Sequence, residues 1–378
     1  MLDYSYQPIY ELTRGEIVES IHFGAIAVVD SSGALVAAHG DSQAVSYLRS
    51  SAKPIQALSF IENNGQSFFN LEPREIALMC ASHSGTDEHV AVVTSIQGKC
   101  HISESDLMCG AHPISHGPTV EALRQRGEKP TQNRNNCSGK HTGMGAYARM
   151  LGFPVADYIN PAHPVQKIIT RTFSEMCSVP QEQIRIGVDG CSAPNFAVPL
   201  YNAALAIARL VDPENARPAL STQRIAACHT IVKAMTSHPD MVGGPDSFDT
   251  LLISTAQGRV LSKVGAEGYH ILGVLPGVLA PGSPGLGIAL KISDGDLKSH
   301  TRGVSDPRGQ IRPAVALEIL RQLGALTGPM LAELADYGPT FPVYNWRKIH
   351  VGSGHPCFDL TASINATWQS AQSLQHGT

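Results

Sequence analysis

Ser50 and Lys53 stand three residues apart in the segment Ser50-Ser51-Ala52-Lys53-Pro54. On a helix that spacing sets two side chains on one face, one turn apart. A serine hydroxyl becomes a useful nucleophile when a neighbouring base takes its proton, and a lysine can be that base once burial or a second cation lowers its pKa. The pattern also has a plain reading, an N-cap serine followed by a solvated lysine. Further along the chain come Ser82, in CASHSGTDEH, and Lys263-Val264-Gly265, in RVLSKVGAEG. Taken alone, Lys263 reads rather as a surface lysine before a turn glycine than as a functional residue.

Their order repeats a known layout. Ser–Lys acyl-transfer enzymes of the β-lactamase and penicillin-binding type carry S-x-x-K, then a second serine, then K-T-G. Valine takes the place of the threonine in this chain. Two polar segments add to the set. Asn135-Asn136-Cys137-Ser138-Gly139-Lys140-His141-Thr142-Gly143-Met144 leads into a helix-like run, and Val188-Asp189-Gly190-Cys191-Ser192-Ala193-Pro194-Asn195 joins a strand-like run to a turn. Either could be an ordinary polar loop with a partly buried thiol. Cys137 and Cys191 could also converge.

The elements that must position these residues fall into three stretches. Residues 22–38, HFGAIAVVDSSGALVAA, predict a hairpin turning at Asp30-Ser31-Ser32-Gly33. A helix is expected to begin near Ser50, since Pro54 is tolerable only in a first helical turn. Between about 73 and 235, helix-like segments such as PREIALMC, VEALRQRG, PVQKIITRTFSEMC and LYNAALAIARLV alternate with polar loops. In the last third, DTLLISTAQGRVLSKVGAEGYHILGVL and GLGIALKISDGD read as consecutive antiparallel strands, followed by the helix-like RPAVALEILRQLGAL. Sheet, helices, sheet and helix predict an α+β fold, an antiparallel sheet with helices. No linker divides the chain, so one domain is expected over 1–365, with a helical sub-domain at about 73–235 and a polar tail at 366–378.

Composition narrows the function classes. The 378 residues are 43% hydrophobic and 16% charged, enough for a core, and the net charge of -4 without a dense basic run argues against nucleic acid. No apolar run is long enough for a membrane span, and the polar N-terminus does not resemble a secretory signal, so the cytoplasm is the expected compartment. The eight cysteines are dispersed and form no C-x-x-C pair, which favours reduced thiols. Gly282-Ser283-Pro284-Gly285-Leu286-Gly287 lacks the strand-to-helix context of a phosphate loop and reads as a turn before a strand. None of the sixteen histidines, His112, His116 and His270 among them, has H-x-x-x-H spacing with an intervening acid, so a zinc hydrolase reading fails.

Together RSSAKPIQA, CASHSGTDEH, NNCSGKHTGM and VDGCSAPNF resemble the Rhizobium etli-type L-asparaginases, or asparaginase II family, over about residues 8–355. That family is similar in architecture to serine β-lactamases, penicillin-binding proteins and glutaminases, and differs from bacterial asparaginases with threonine nucleophiles. The resemblance implies a homodimeric amidohydrolase acting on L-asparagine. By motif it makes Ser50 the nucleophile and Lys53 its base, with Ser82 and Lys263 as a second Ser–Lys tandem. It sets Arg49, His141 and Asp189 at the substrate and a Zn2+ ion on Cys137, Lys140 and Cys191. Lysine is an unusual zinc ligand because it must first lose its proton. Family members carry a cysteine close to where this chain has Asp249.

Overall fold

The hydrophobic run that predicted a hairpin forms one, as the strands Ile17–Asp30 and Leu35–His39 of a computed structural model. Its turn is fixed by Asp30, whose Oδ1 accepts hydrogen bonds from the Ser32 and Ala34 backbone N–H groups at 2.9 Å each. The structure describes residues 6–295 and 311–361. The polar tail expected at 366–378 lies outside the described residues.

The chain forms two compact units. Met1–Leu48, Val198–Pro218 and Thr255–Thr378 make the first, and Arg49–Ala197 with Ala219–Ser254 make the second. In the first, an antiparallel sheet runs in the order Phe341–Tyr344, His350–Pro356, Gln7–Arg14, Ile17–Asp30, Leu286–Ile292, Tyr269–Val274 and Val260–Val264. Leu35–His39 pairs with Ile17–Asp30 off this path. The strands Leu286–Ile292 and Tyr269–Val274 read as almost continuous apolar runs because nearly every residue in them is buried. The helix Leu200–Val211 lies on this sheet at Gly287, where a Cβ would sit 1.9 Å from the Ala204 carbonyl oxygen. Glycine there is what allows the close approach.

The second unit is mostly helical. Its helices include Lys53–Glu62, Pro73–Met79, Asp87–Cys100, Gly117–Arg126, Ser138–Met150, Pro164–Cys177 and Thr222–Ser237. Ser138–Met150 is a core helix, buried from Ser138 through Ala148, and it packs on Pro73–Met79. The strands Arg185–Val188 and Pro194–Pro199 form an antiparallel hairpin beside these helices in sequence, with Gly187 opposite Asn195. Antiparallel sheet with helices is the α+β class expected.

One segment differs from the sequence reading. DTLLIST was expected to be a strand and instead belongs to the helix Phe248–Thr255. Phe248, Asp249, Leu252, Ile253 and Thr255 are its buried positions, a spacing of three to four that the short apolar run could not separate from a strand's. The turn reading of Gly282–Gly287 holds, since the strand begins at Leu286.

Candidate active site

Ser50 sits in the one-turn 3-10 helix Arg49–Ala52, which runs directly into the helix beginning at Lys53. Pro54 occupies the first turn, where its missing N–H costs nothing. Arg49 has φ of 53°, the left-handed region that non-glycine residues avoid, so the backbone just before Ser50 is held under local strain. Two contacts hold it there. The Arg49 N–H donates to Asn195 Oδ1 at 3.0 Å, and Arg49 Nε donates to Asp189 Oδ1 at 2.6 Å.

Lys53 is 1% exposed. Its Nζ donates to the Ala81 carbonyl oxygen at 2.5 Å, to Ser82 Oγ at 3.0 Å and to the Asn136 carbonyl oxygen at 3.3 Å. Three acceptors match the three donors of an ammonium group. Ser82 is itself placed by its N–H, which donates to the Val242 carbonyl at 2.9 Å. The Ser50 hydroxyl, half-buried, makes no hydrogen bond among the described residues. The structure thus brings Lys53 to Ser82 and sets Ser50 one turn away, rather than joining Ser50 to Lys53 directly. Lys263 stands in the first unit on the strand Val260–Val264, buried, with its Nζ donating to the Val264 carbonyl at 2.9 Å.

The two polar segments do converge. Sulfurs of Cys137 and Cys191 and a carboxylate oxygen of Asp189 all lie within 4.8 Å of one another. Lys140 Nζ is 3.0 Å from Cys191 Sγ. Asp189 and Cys191 are kept together by a tight turn in which the Asp189 N–H donates to the Ala193 carbonyl at 3.0 Å and the Ser192 N–H to the Asp189 carbonyl at 2.9 Å. Cys137 and Lys140 are brought up by the first turn of the Ser138–Met150 helix, where Gly139 lets the chain lie against Leu78.

The electrostatics favour charge on Cys137, Lys140 and Asp189, while the hydrogen bond to Cys137 and then burial push the Cys191 thiol up. A hydrogen bond from Cys191 pulls the Cys137 thiol well below its ordinary range, against burial and with help from Lys53 and Lys140. Burial works against the Lys140 ammonium, but Cys191, Cys137 and Asp189 outweigh it and the net direction is up. Burial likewise works to raise Asp189, and Lys140 and Arg49 turn the balance downward. Two sulfurs with a carboxylate and an amine form a donor set that suits zinc. Asp189, expected only at the substrate, stands within the same cluster as the two thiols. Lys140 would bind a metal only after losing the proton that the neighbouring anions now hold on it.

His141 is fully buried, and burial, then the Lys140 and Lys53 charges, push it well below the ordinary imidazole range. Its Nδ1 lies 2.7 Å from Tyr158 Oη. His83, next to Ser82, is buried too; its Nδ1 accepts from the Gly85 N–H at 3.2 Å and its Nε2 lies 2.8 Å from Ser138 Oγ. That contact ties the Ser82 loop to the start of the Ser138–Met150 helix. Asn136 is tied in turn to His112, whose Nε2 accepts the Asn136 N–H at 2.9 Å. Asn195, His112 and Tyr158 were not singled out as site residues by sequence, and only proximity in space identifies them. Asp249, at the position where the family has cysteine, is 2% exposed on the helix Phe248–Thr255.

Strand, helix and site together describe an α+β protein with a buried Lys–Ser contact beside a thiol-rich cluster. The family model for L-asparaginase II matches residues 10–356, and the chain belongs to that family. It is thereby an amidohydrolase-family protein, as the four motifs implied. No protein of curated function matches the chain. Among solved structures, it is similar to a Bacillus subtilis glutaminase in covalent complex with 5-oxo-L-norleucine, at 13% identity and a TM-score of 0.33 over 72% of this chain and 80% of that one. A second similar structure is a probable Bacillus subtilis glutaminase complexed with 6-diazo-5-oxo-L-norleucine, at 11% identity and a TM-score of 0.37 over 80% and 84%. A third, Mglu, gives 12% identity and a TM-score of 0.40 over 81% and 68%. The family assignment rests on the sequence match alone. No helix among the described residues is long and apolar enough to cross a membrane.

Proposed function

We propose that this protein hydrolyses the side-chain amide of L-asparagine to L-aspartate and ammonia through an acyl-enzyme on Ser50, working as a cytoplasmic homodimer. The observation that carries the reading is Lys53, sealed from solvent one turn from Ser50 with its Nζ 3.0 Å from Ser82 Oγ. A lysine so placed can exchange protons with a serine without competition from bulk water.

In this mechanism Ser50 Oγ attacks the amide carbon and its proton passes to Lys53. To take it, Lys53 must be unprotonated and turn a lone pair toward Ser50, which requires giving up one of its three present acceptors. The longest of these bonds, 3.3 Å to the Asn136 carbonyl, is the first to yield. Collapse of the tetrahedral intermediate breaks the C–N bond, and the departing nitrogen takes the proton to leave as ammonia. Water then attacks the β-aspartyl ester with the same network as base. Ser82 relays protons to and from Lys53, and Lys263 enters the proposal on its motif.

An α-amino acid presents one ammonium and one carboxylate, and Arg49 and Asp189 offer the complementary pair. Asp189 is one-tenth exposed and Arg49 about a quarter, so the pair reaches solvent on the arginine side. Zinc fits the cluster of Cys137, Cys191 and Lys140, with Asp189 as a further oxygen donor. When bound it would brace the site or polarise the polar end of the substrate, since Ser50 already supplies the nucleophile.

The test is ammonia release from L-asparagine by the wild type and by Ser50→Ala, with circular dichroism confirming an intact fold. Loss of activity in the variant alone supports substrate and nucleophile together. An inactive wild type that turns over glutamine or another amide would displace asparagine as substrate, and an active Ser50→Ala would end the acyl-enzyme on Ser50.

A further inference from the structure

His141 carries an unusual asymmetry. One ring nitrogen, Nδ1, is 2.7 Å from Tyr158 Oη, while the other, Nε2, is buried and has no hydrogen-bond partner among the described residues. A buried N–H or lone pair left unpaired is costly, so this ring nitrogen is open to a group that arrives later.

The proton positions follow from Tyr158. Its hydroxyl oxygen already accepts the Met108 N–H at 2.9 Å, and its side chain is fully buried. Burial pushes the phenol above its ordinary range, so it keeps its proton. The acceptor that the hydrogen bonds of the hydroxyl offer is His141 Nδ1. The chain therefore runs Met108 N–H to Tyr158 Oη, and Tyr158 O–H to His141 Nδ1. An Nδ1 that accepts the Tyr158 O–H bears no hydrogen of its own, so the hydrogen of the ring sits on Nε2. Tyr158 is held rigidly for this purpose: Gln166 Nε2 donates to its carbonyl oxygen at 2.8 Å, and its ring meets that of His141 edge to face at 5.6 Å between centroids.

We infer that Tyr158 is a positioning residue that locks His141 as the Nε2–H tautomer, making it a one-way donor reserved for an oxygen of the substrate. The ligand class is an amino-acid amide presenting a carbonyl or carboxylate oxygen to that N–H. A site built this way rejects analogues that place a donor at the same point, because two N–H groups would face each other. The inference rests on the proposed reading in placing substrate beside His141. The tautomer itself does not depend on turnover.

The experiment uses the full-length protein labelled with 15N. Long-range nitrogen–proton correlations, with the His141 signals assigned by their loss in His141→Gln, are expected to show a protonated Nε2 and a bare Nδ1 in the wild type. In Tyr158→Phe that preference should relax toward a mixture of the two forms. Kinetically, Tyr158→Phe should lower kcat/KM for L-asparagine roughly tenfold or more, the size of one hydrogen bond to a charged or polarised oxygen. In a His141→Gln background, where the amide nitrogen is always a donor, the same change should cost less than about twofold. A protonated Nδ1 in the wild type overturns the inference, and so does an equal loss from Tyr158→Phe in both backgrounds. The wild-type spectrum decides the matter even if Tyr158→Phe fails to fold. Absence of asparagine turnover in the wild type would instead sink the proposed function and leave the tautomer result standing.

Discussion

Replacing Gly139 by alanine should damage both the stability of the second unit and its chemistry, although it adds only a methyl group. A Cβ at this position would lie 2.2 Å from the Leu78 carbonyl oxygen and 2.8 Å from its carbonyl carbon. Both are backbone atoms of the Pro73–Met79 helix, so no side chain can rotate away. Relief requires the helix Ser138–Met150 to back off by about 1 Å, a strain on the scale of overpacked cores, roughly 1–3 kcal/mol. Alanine's better helix propensity, worth up to about 1 kcal/mol, offsets part of it. The same displacement carries Lys140 and His141, and about 1 Å of misplacement in a positioned site is worth roughly a hundredfold in rate. Gly98 provides the control, since it is exposed near the end of the helix Asp87–Cys100 with nothing within 4 Å of its Cβ direction. Gly98→Ala should stabilise by about 0.5–1 kcal/mol and leave turnover alone. Urea midpoints and ammonia release for both variants make the comparison. If Gly139→Ala matches Gly98→Ala in stability and keeps full activity, the close approach at Leu78 does not position the site and the reasoning fails.

Three further outcomes are expected. Lys53→Met removes the base and strands the Ala81 and Asn136 carbonyls, so activity should fall at least a hundredfold; the lost bonds are partly offset by removing a buried charge, and a variant with normal turnover would remove Lys53 from the mechanism. His83 is held well below and His89 below the usual imidazole range, burial being the main cause for both. The unfolded chain therefore binds more protons than the folded one below about pH 6.5, and stability should be full above that value and decline as pH falls, by up to about 1.4 kcal/mol per pH unit for each ring; urea midpoints at several pH values measure this, and a midpoint that rises on acidification contradicts it. Cys137→Ala should bind less zinc in atomic emission measurements of protein purified with zinc and dialysed, and undiminished metal content would refute its place in the ligand set.

Much of the scaffold was legible because its signals are local. The spacing of Ser50 and Lys53, the proline just after the lysine and the helix start agree with one another, and all three appear in the structure. The hairpin at Asp30–Gly33 and the helices Pro164–Cys177 and Leu200–Val211 follow from turn chemistry and from apolar periodicity in the same way. Family membership was legible for a related reason: several short polar segments, each too common to mean much alone, occur together in a fixed order. Where the local signal was ambiguous, as in the seven residues DTLLIST, the reading chose strand and the protein chose helix.

What the acceptors of Lys53 are could not be read, because they lie far along the chain. Ser82 is 29 residues from it and the Asn136 carbonyl is 83. No period links such residues; only the packing of helices in the second unit brings a loop carbonyl to a particular amine. The same holds for Asp189, which the sequence reading placed with the substrate and which tertiary structure also sets among the thiols, 49 residues beyond Lys140. Tyr158 is the extreme case, a tyrosine in an unremarkable loop whose single hydroxyl meets His141 from 17 residues away. Sequence alone determined which residue types were at hand and on which elements they rode. Tertiary structure decided which of their atoms face one another, and proton positions depend on that because a hydrogen bond is sensitive to tenths of an ångström and to angle.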